Sequence, residues 1–390
     1  MWDDLAPIGR HSGTGGYRRY AWTAEDAILR EWFVAEAQAR GLDVIADRTG
    51  NLWAWWGAPD ADGPGVVVGS HLDSVPDGGA FDGPLGVVSA FAALDELRSR
   101  DLVPSRPLGV VAFADEEGAR FGIACTGSRL LTGALGAERA LALRDGNAIT
   151  LAEAMAQAGQ APAGVGRDDE VLRRVAVFVE LHIEQGRGLV DLGHPIAVGS
   201  AIWPHGRWRV ELAGEANHAG TTQLADRRDP MLALAAVIQR ARLAAVRHDA
   251  LATCAKVRVE PNGVNAIPYR VTAWLDARGE DSARVRAVVA DVTACAAESG
   301  GGVSEESWTE RTAFDPQFSA RLAVLLGDAP LLPTGAGHDA GVLAAAGIPA
   351  AMLFVRNPTG ISHSPAEFAD PEDCRAGVVA LTKVLAELTG

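Results

Sequence analysis

Three apolar runs constrain this chain more than any other feature: residues 66–68 and 108–114 are continuous rather than alternating, 175–181 is largely so, and each stops at acids or histidines. Continuous runs of strand length belong to strands buried on both faces, as in a parallel sheet covered by helices. The first ends at His71 and Asp73, and a glycine-rich turn then delivers Asp82. The second ends at Asp115, Glu116 and Glu117, and the third at His182, Glu184 and Gln185. In open α/β sheets, loops at the carboxyl ends of strands hold side chains in a crevice, so these residues are expected to converge. Three consecutive acids at the end of a buried strand are costly unless a counter-charge such as a metal ion compensates them. A solvated acidic loop is the plain alternative.

A chain of 390 residues exceeds one comfortable core, so two domains are expected. The 35 Lys and Arg against 50 Asp and Glu give a net charge of −15, which argues against nucleic acid or an anionic membrane as partner and favours a small-molecule substrate. The opening MWDDLAPIGR has neither a basic nor an apolar leader region, so no secretory signal is expected. The longest uncharged run, 340–355, contains Gly347 and Pro349 and falls short of the ~20 apolar residues of a spanning helix. Cys125, Cys254, Cys295 and Cys374 are scattered without CxxC spacing, which suits reduced thiols and a cytoplasmic location.

Along the chain, Thr23 is placed to cap a helix that ends at Gly41, and two short strands flank a turn at Gly50 and Asn51. Residues 85–97 read as a helix after the first site loop, and Thr150 with Glu153 has capping-box spacing. Beyond Pro204 the texture changes to an alternating strand at 208–212, a helix at 230–245, strands at 254–259 and 271–276, a helix at 283–297 and a strand at 303–308. The order βαββαβ is the ferredoxin-like pattern. The expected organisation is a catalytic metal-binding domain of residues 1–206 and 317–390, interrupted by an inserted domain over 207–316.

Collecting the strand-end ligands gives His71, Asp82, Glu117, His182 and His363, with Glu116 beside them. Five nitrogen and oxygen ligands without cysteine fit two divalent ions bridged by one carboxylate, each ion keeping an open position. Such a donor set takes Zn, Mn, Co or Ni. Glu116 then suits proton transfer from an attacking water to a departing amine. Asp73 is placed to accept the other ring N–H of His71.

The segments HLDSVPDGGAFDG, DEEGARF, LHIEQG, NHAGTT, PNGVNAIP, LDAR, GAGHDA and GISHSPAEF occur in this order from about Gly69 to Phe368. Together they resemble the N-carbamoyl-L-amino acid amidohydrolase, β-ureidopropionase and allantoate amidohydrolase group, dinuclear-metal enzymes related to aminoacylase and carboxypeptidase-like metallopeptidases. Within that superfamily LHIEQG is similar to the carbamoylase branch, with a His where peptidase relatives place a carboxylate. The resemblance implies an α/β, zinc-peptidase-like catalytic domain with a mixed sheet flanked by helices, plus a ferredoxin-like lid domain that mediates dimerisation. It implies that Asp82 bridges the metals, that His71 and His363 are terminal ligands alongside Glu117 and His182, and that Glu116 is the acid/base. Gln185, Asn265 and Arg278 would hold the substrate, Arg278 offering a bidentate fork to a carboxylate. His218 would reach a neighbouring subunit's active site and stabilise the developing oxyanion, which makes a homodimer the expected assembly.

The implied reaction is hydrolysis of the carbamoyl C–N bond of an N-carbamoyl-L-amino acid or allantoate to ammonia, carbon dioxide and the amine. Cleavage of another small N-acyl group, formyl or formimino, or of a dipeptide is a second reading. A metal-dependent binding protein without catalysis is a third, against which the presence of Glu116 stands. One departure is Gln223 and Leu224, where the group reads HAGTTPM, and it bears on the substrate envelope near the lid rather than on the ligands. His205, Arg242, Arg247 and His248 read as surface groups. His338 and Asp339 read as supporting or substrate-facing residues or as a helix cap, and Glu184 as orienting the His182 loop or as an extra ligand.

Overall fold

A computed structural model describes all of residues 1–390. The strands in chain order are β1 (Asp43–Ala46), β2 (Leu52–Trp56), β3 (Gly65–His71), β4 (Leu108–Phe113), β5 (Val175–Ile183), β6 (Ile196–Ile202), β7 (His205–Ala213), β8 (Asn217–His218), β9 (Leu251–Glu260), β10 (Ala266–Ile267), β11 (Arg270–Arg278), β12 (Gly302–Thr309), β13 (Thr312–Ala313), β14 (Leu331–Thr334) and β15 (Ala350–Val355). The chain divides into two compact units, residues 1–201 with 313–390, and residues 202–312. No helix is long and apolar enough to cross a membrane.

The first unit is built on a sheet of order β1-β2-β4-β3-β5-β15-β6-β13, with β14 beside β6. Its four central strands β4, β3, β5 and β15 are parallel, while β2 and β6 join them antiparallel. Every residue of β3, β4 and β15 is buried, which is why these segments carry apolar runs without alternation. Helices Pro84–Ser99 and Pro371–Thr389 cover one face, where Leu85, Phe91, Leu94, Leu381 and Leu385 join Val66, Val68 and Val110 in one core. The capping box is present: the Thr150 hydroxyl accepts from Glu153 N, and the Glu153 carboxylate accepts from Thr150 N.

Residues 202–312 form an antiparallel sheet of order β12-β7-β11-β9. Counted in chain order within this unit that is 4-1-3-2, and with the βαββαβ sequence it is the ferredoxin-like arrangement. Helices Pro230–His248 and Ser282–Glu298 pack on one face against Trp208, Val210, Leu212, Ala273 and Leu275. The alternation of β7 and β11 turns His205, Arg207, Asp276 and Arg278 to the other face.

Two differences from the sequence reading concern the first unit. β5 runs on through Ile183, so His182 lies inside the strand, opposite Phe354, rather than in the loop after it. β6, in contrast, is an element that apolar periodicity does not reveal, since Gly199 and Ser200 interrupt its pattern.

One buried polar node ties the β1–β2 turn to the strand that carries the acids. The Asp47 carboxylate accepts from Thr49 N (2.9 Å), Thr49 Oγ1 (2.8 Å), Asn51 N (3.0 Å), Asn51 Nδ2 (2.8 Å) and Trp53 Nε1 (2.9 Å). The Asn51 Oδ1 in turn accepts from Ala114 N at 3.0 Å, immediately before Asp115. Removing the acceptor strands several buried donors at once, each costing about 1–3 kcal/mol. Asp47→Ala is therefore expected to lower unfolding stability by at least about 3 kcal/mol in urea titrations. A loss below about 1 kcal/mol would show that the turn is not held by this carboxylate.

Candidate metal centre

The carboxyl ends of the parallel strands collect the predicted ligands. His71 is the last residue of β3 and fully buried; its Nδ1 lies 3.1 Å from the Asp73 carbonyl oxygen. His182 Nδ1 lies 2.9 Å from the Ile183 carbonyl oxygen. A carbonyl only accepts, so both imidazoles carry a proton on Nδ1 and turn Nε2 towards the cluster. These Nε2 atoms lie 3.7 Å and 3.2 Å from Asp82 Oδ1, yet neither makes a hydrogen bond. On the other side, His363 Nε2 lies 3.4 Å from Asp82 Oδ2 and 3.7 Å from Glu117 Oε1, a buried oxygen also without a hydrogen-bond partner.

The structure thus brings two triads together. Ligand atoms of His71, Asp82 and His182 lie within 4.8 Å of one another, as do those of Asp82, Glu117 and His363. Asp82 belongs to both. Orphaned buried nitrogens and oxygens that face one another fit divalent cations, whose charge relieves the repulsion that a protein-only arrangement would leave. A third grouping, His71 with Glu116 and Glu117, overlaps these.

Electrostatics agree with this geometry. Burial, reinforced by Asp82 and Glu116, pushes the Glu117 carboxyl well above its ordinary range. Burial likewise pushes Glu116 up to about 7, with His71 pulling the other way. Burial opposes charge on Asp82, but His182 and His71 hold it well below the usual carboxylate range. Burial pulls His71 down, and Glu116, Asp73 and Asp82 more than reverse it. The cluster as a whole demands positive charge.

Several supports explain why the ligands stand where they do. Gly83 has φ +85°, and a Cβ there would fall 2.4 Å from His71 Cε1, so the turn passes the ring only as glycine. Glu367 Oε1 accepts from Phe81 N (2.9 Å) and Asp82 N (3.0 Å), clamping that turn. The carboxylate of Asp73 does something other than the role expected for it: it accepts from Glu116 N (3.1 Å) and Glu117 N (3.0 Å), while its carbonyl serves His71. Cys125 backs the Glu116 side chain, its Sγ 3.3 Å from Oε1. Backbone bonds from Cys125, Thr126 and Gly127 to Glu116, Asp115 and Ala114 fasten the two segments together. The parts played by Glu367 and Cys125 are invisible to sequence spacing, although Glu367 lies inside the GISHSPAEF segment.

Other candidates divide plainly. Glu184 accepts from Gly188 N (2.6 Å) and Leu189 N (3.0 Å) and so serves the start of a short helix. His338 stands at the N-cap position of helix Asp339–Ala345 without a side-chain cap bond, its ring edge-on to His182 at 4.5 Å. It forms a further grouping with Glu180 and His182. The oxygens of Glu180 are already engaged there by Ser70 Oγ (2.7 Å) and Ala340 N (2.9 Å). Asp339 accepts from Ser128 Oγ at 2.5 Å. Gln185 reaches the centre, its Nε2 3.0 Å from Asp82 Oδ2 and 3.3 Å from His363 Nε2. Arg247 and His248 both meet Asp291, each at 3.0 Å.

In the second unit, His218 on β8 is paired with Ala266 on β10, and Ala219 N donates to the Asn265 carbonyl at 2.9 Å, so His218 and Asn265 are neighbours on an exposed loop pair. His218 Nδ1 accepts from Gly220 N at 3.0 Å, which leaves Nε2 as the proton-bearing nitrogen. Arg278 is held in a fork by Asp276, with Nε 2.6 Å from Oδ1 and Nη2 2.9 Å from Oδ2. Gln223 and Leu224 are exposed.

Comparison with known proteins completes the picture. Residues 67–387 match the peptidase family M20/M25/M40. An N-carbamoyl-L-amino acid amidohydrolase from Geobacillus stearothermophilus is 38% identical over 98% of this chain and 96% of its own length. An allantoate amidohydrolase from Bacillus subtilis is 33% identical over 98% of this chain and 95% of its own. The solved structure of AtUAH in complex with (S)-hydroxyglycine superposes with a TM-score of 0.90 at 29% identity, covering 100% of this chain and 96% of that one. Sequence, relatives and fold agree, and the chain belongs to the peptidase family M20/M25/M40.

Proposed function

We propose that this chain hydrolyses the carbamoyl C–N bond of N-carbamoyl-L-amino acids or allantoate, giving ammonia, carbon dioxide and the amine. The observation that carries the reading is the pair of ligand triads sharing Asp82 at the carboxyl ends of four parallel strands. The ureido substrate class rests on the amidohydrolase relatives and on the (S)-hydroxyglycine complex, an amine-bearing carboxylate. His71, Asp82 and His182 would hold one divalent cation, and Asp82, Glu117 and His363 the second, with Zn, Mn, Co or Ni suiting the donors. When bound, such a pair supplies Lewis-acid polarisation of a carbonyl and a water acidified towards neutrality.

The chain's own groups do the rest. Glu116, buried beside the triads and backed by Cys125, accepts the proton of the attacking water and returns it to the departing nitrogen. His218, whose Nε2 carries the proton, donates to the oxyanion that develops on the ureido oxygen. Arg278, oriented by Asp276, meets the substrate carboxylate, and Asn265 and Gln185 supply amide groups to the same ligand. In this reading residues 207–316 act as a lid and dimerisation domain, and His218 serves the active site of the neighbouring subunit in a homodimer.

With purified, metal-loaded protein, ammonia release is expected from N-carbamoyl-L-amino acids or allantoate, and no free amino acid from N-formyl or N-acetyl analogues. Free amino acid from the N-acyl analogues, with no ammonia from the ureido compounds, would overturn the ureido assignment. Glu116→Gln is expected to lower kcat by about 10²–10⁴-fold with metal content unchanged, and undiminished turnover would remove Glu116 from proton transfer. Dialysis against a chelator should abolish activity and lower Tm, with each cation at 100-fold excess over its Kd contributing about 2.7 kcal/mol to the loaded protein. Full activity after complete metal removal would contradict the mechanism. Finally, mixing separately inactive Glu116→Gln and His218→Ala proteins should regain activity as subunits exchange, because one site of each mixed dimer holds both native residues. No recovery in a demonstrably mixed dimer would place His218 in its own subunit's site.

A further inference from the structure

A pocket of about 520 Å³ opens in the first unit on the side of the Asp82 turn formed by Phe81. Its wall is almost wholly apolar, with Trp2, Phe81, Val88, Ala92 and Phe368 among its residues, and the Phe81 ring packs on Trp2 (5.3 Å) and Phe368 (6.3 Å). One wall residue does not belong in an apolar setting. Arg19 is 2% exposed, and its partners are the carbonyls of Ile8 (3.0 Å) and Leu5 (2.7 Å) and the face of Tyr17, with no carboxylate paired to it. Burial pulls this guanidinium down to about 10. Of the other charged groups in the wall, Asp3 and Arg375 are exposed, and the Met1 ammonium is paired with Asp4 at 2.9 Å.

A buried guanidinium whose carbonyl partners leave its charge uncompensated is costly, and five N–H donors exceed what two carbonyls accept. A carboxylate is the group that matches a guanidinium in charge and geometry. The volume lies in the range of small-ligand sites, and the aromatic wall suits a ring or short alkyl body. We propose that this pocket binds a small monocarboxylate with an apolar body, its carboxylate towards Arg19. An occupant would rest against Phe81, the residue before the carboxylate shared by the two triads, and against Phe368, the residue after the clamp Glu367.

Calorimetric titration of the metal-loaded full chain with 4-phenylbutyrate, octanoate and the uncharged 4-phenylbutanol tests this. At least one of the carboxylates should bind saturably, one per chain, and about tenfold or more tighter than the alcohol. Ala92→Phe, which fills the pocket and lies outside the proposed catalytic machinery, should weaken that binding about tenfold or more while ureido hydrolysis continues. Arg19→Met should abolish the preference for carboxylate over alcohol. Absence of saturable binding by both carboxylates, equal binding of the alcohol, or binding unchanged in Ala92→Phe would overturn the proposal. Carboxylate binding at the metal centre would give the last of these results. Because the readout is binding, it stands apart from the ureido reading, which ammonia release tests.

Discussion

A single buried carboxylate with its two oxygens turned to different partners is the constraint around which this molecule is arranged. Asp82 Oδ1 faces the imidazoles of His71 and His182, and Oδ2 faces His363 and Gln185. Around it Glu116, Glu117 and Asp73 add acidic groups in a site where water cannot screen them. Such crowding is stable only with positive charge supplied from within. Imidazoles whose Nδ1 protons are committed to backbone carbonyls, with Nε2 directed inward, are suited to share that task with cations.

The scaffold converts this electrostatic need into fixed positions. Parallel strands buried on both faces end together, so residues far apart in sequence reach one crevice without long flexible loops. Glycine at position 83 lets the turn pass the His71 ring, Glu367 clamps its backbone, and Asp73 pins the Glu116–Glu117 segment from the neighbouring loop. Each of these contacts uses a polar group that burial would otherwise penalise, which is how the same residues stabilise the fold and aim the site.

What could be read from the sequence follows the same physics. Strands buried on both faces announce themselves as apolar runs, and the acids and histidines that follow mark their carboxyl ends, so His71, Glu116, Glu117 and His182 were legible. The Thr150–Glu153 capping box and the βαββαβ order were legible because caps and periodicity are local. Contacts set by tertiary approach were not. Glu367 meets Asp82 across 285 positions, Asp73 gives its carboxylate to a different loop from the one its spacing suggests, and Arg19 lies in a wall drawn from both ends of the chain. β6 hid because its glycine and serine break the apolar pattern although its neighbours bury it.

If two cations share Asp82, anomalous X-ray scattering from crystals grown with manganese will show two peaks per chain, one among His71, His182 and Asp82 Oδ1 and the other among Glu117, His363 and Asp82 Oδ2. A single peak, or density centred instead among Glu180, His182 and His338, would contradict the sharing of Asp82.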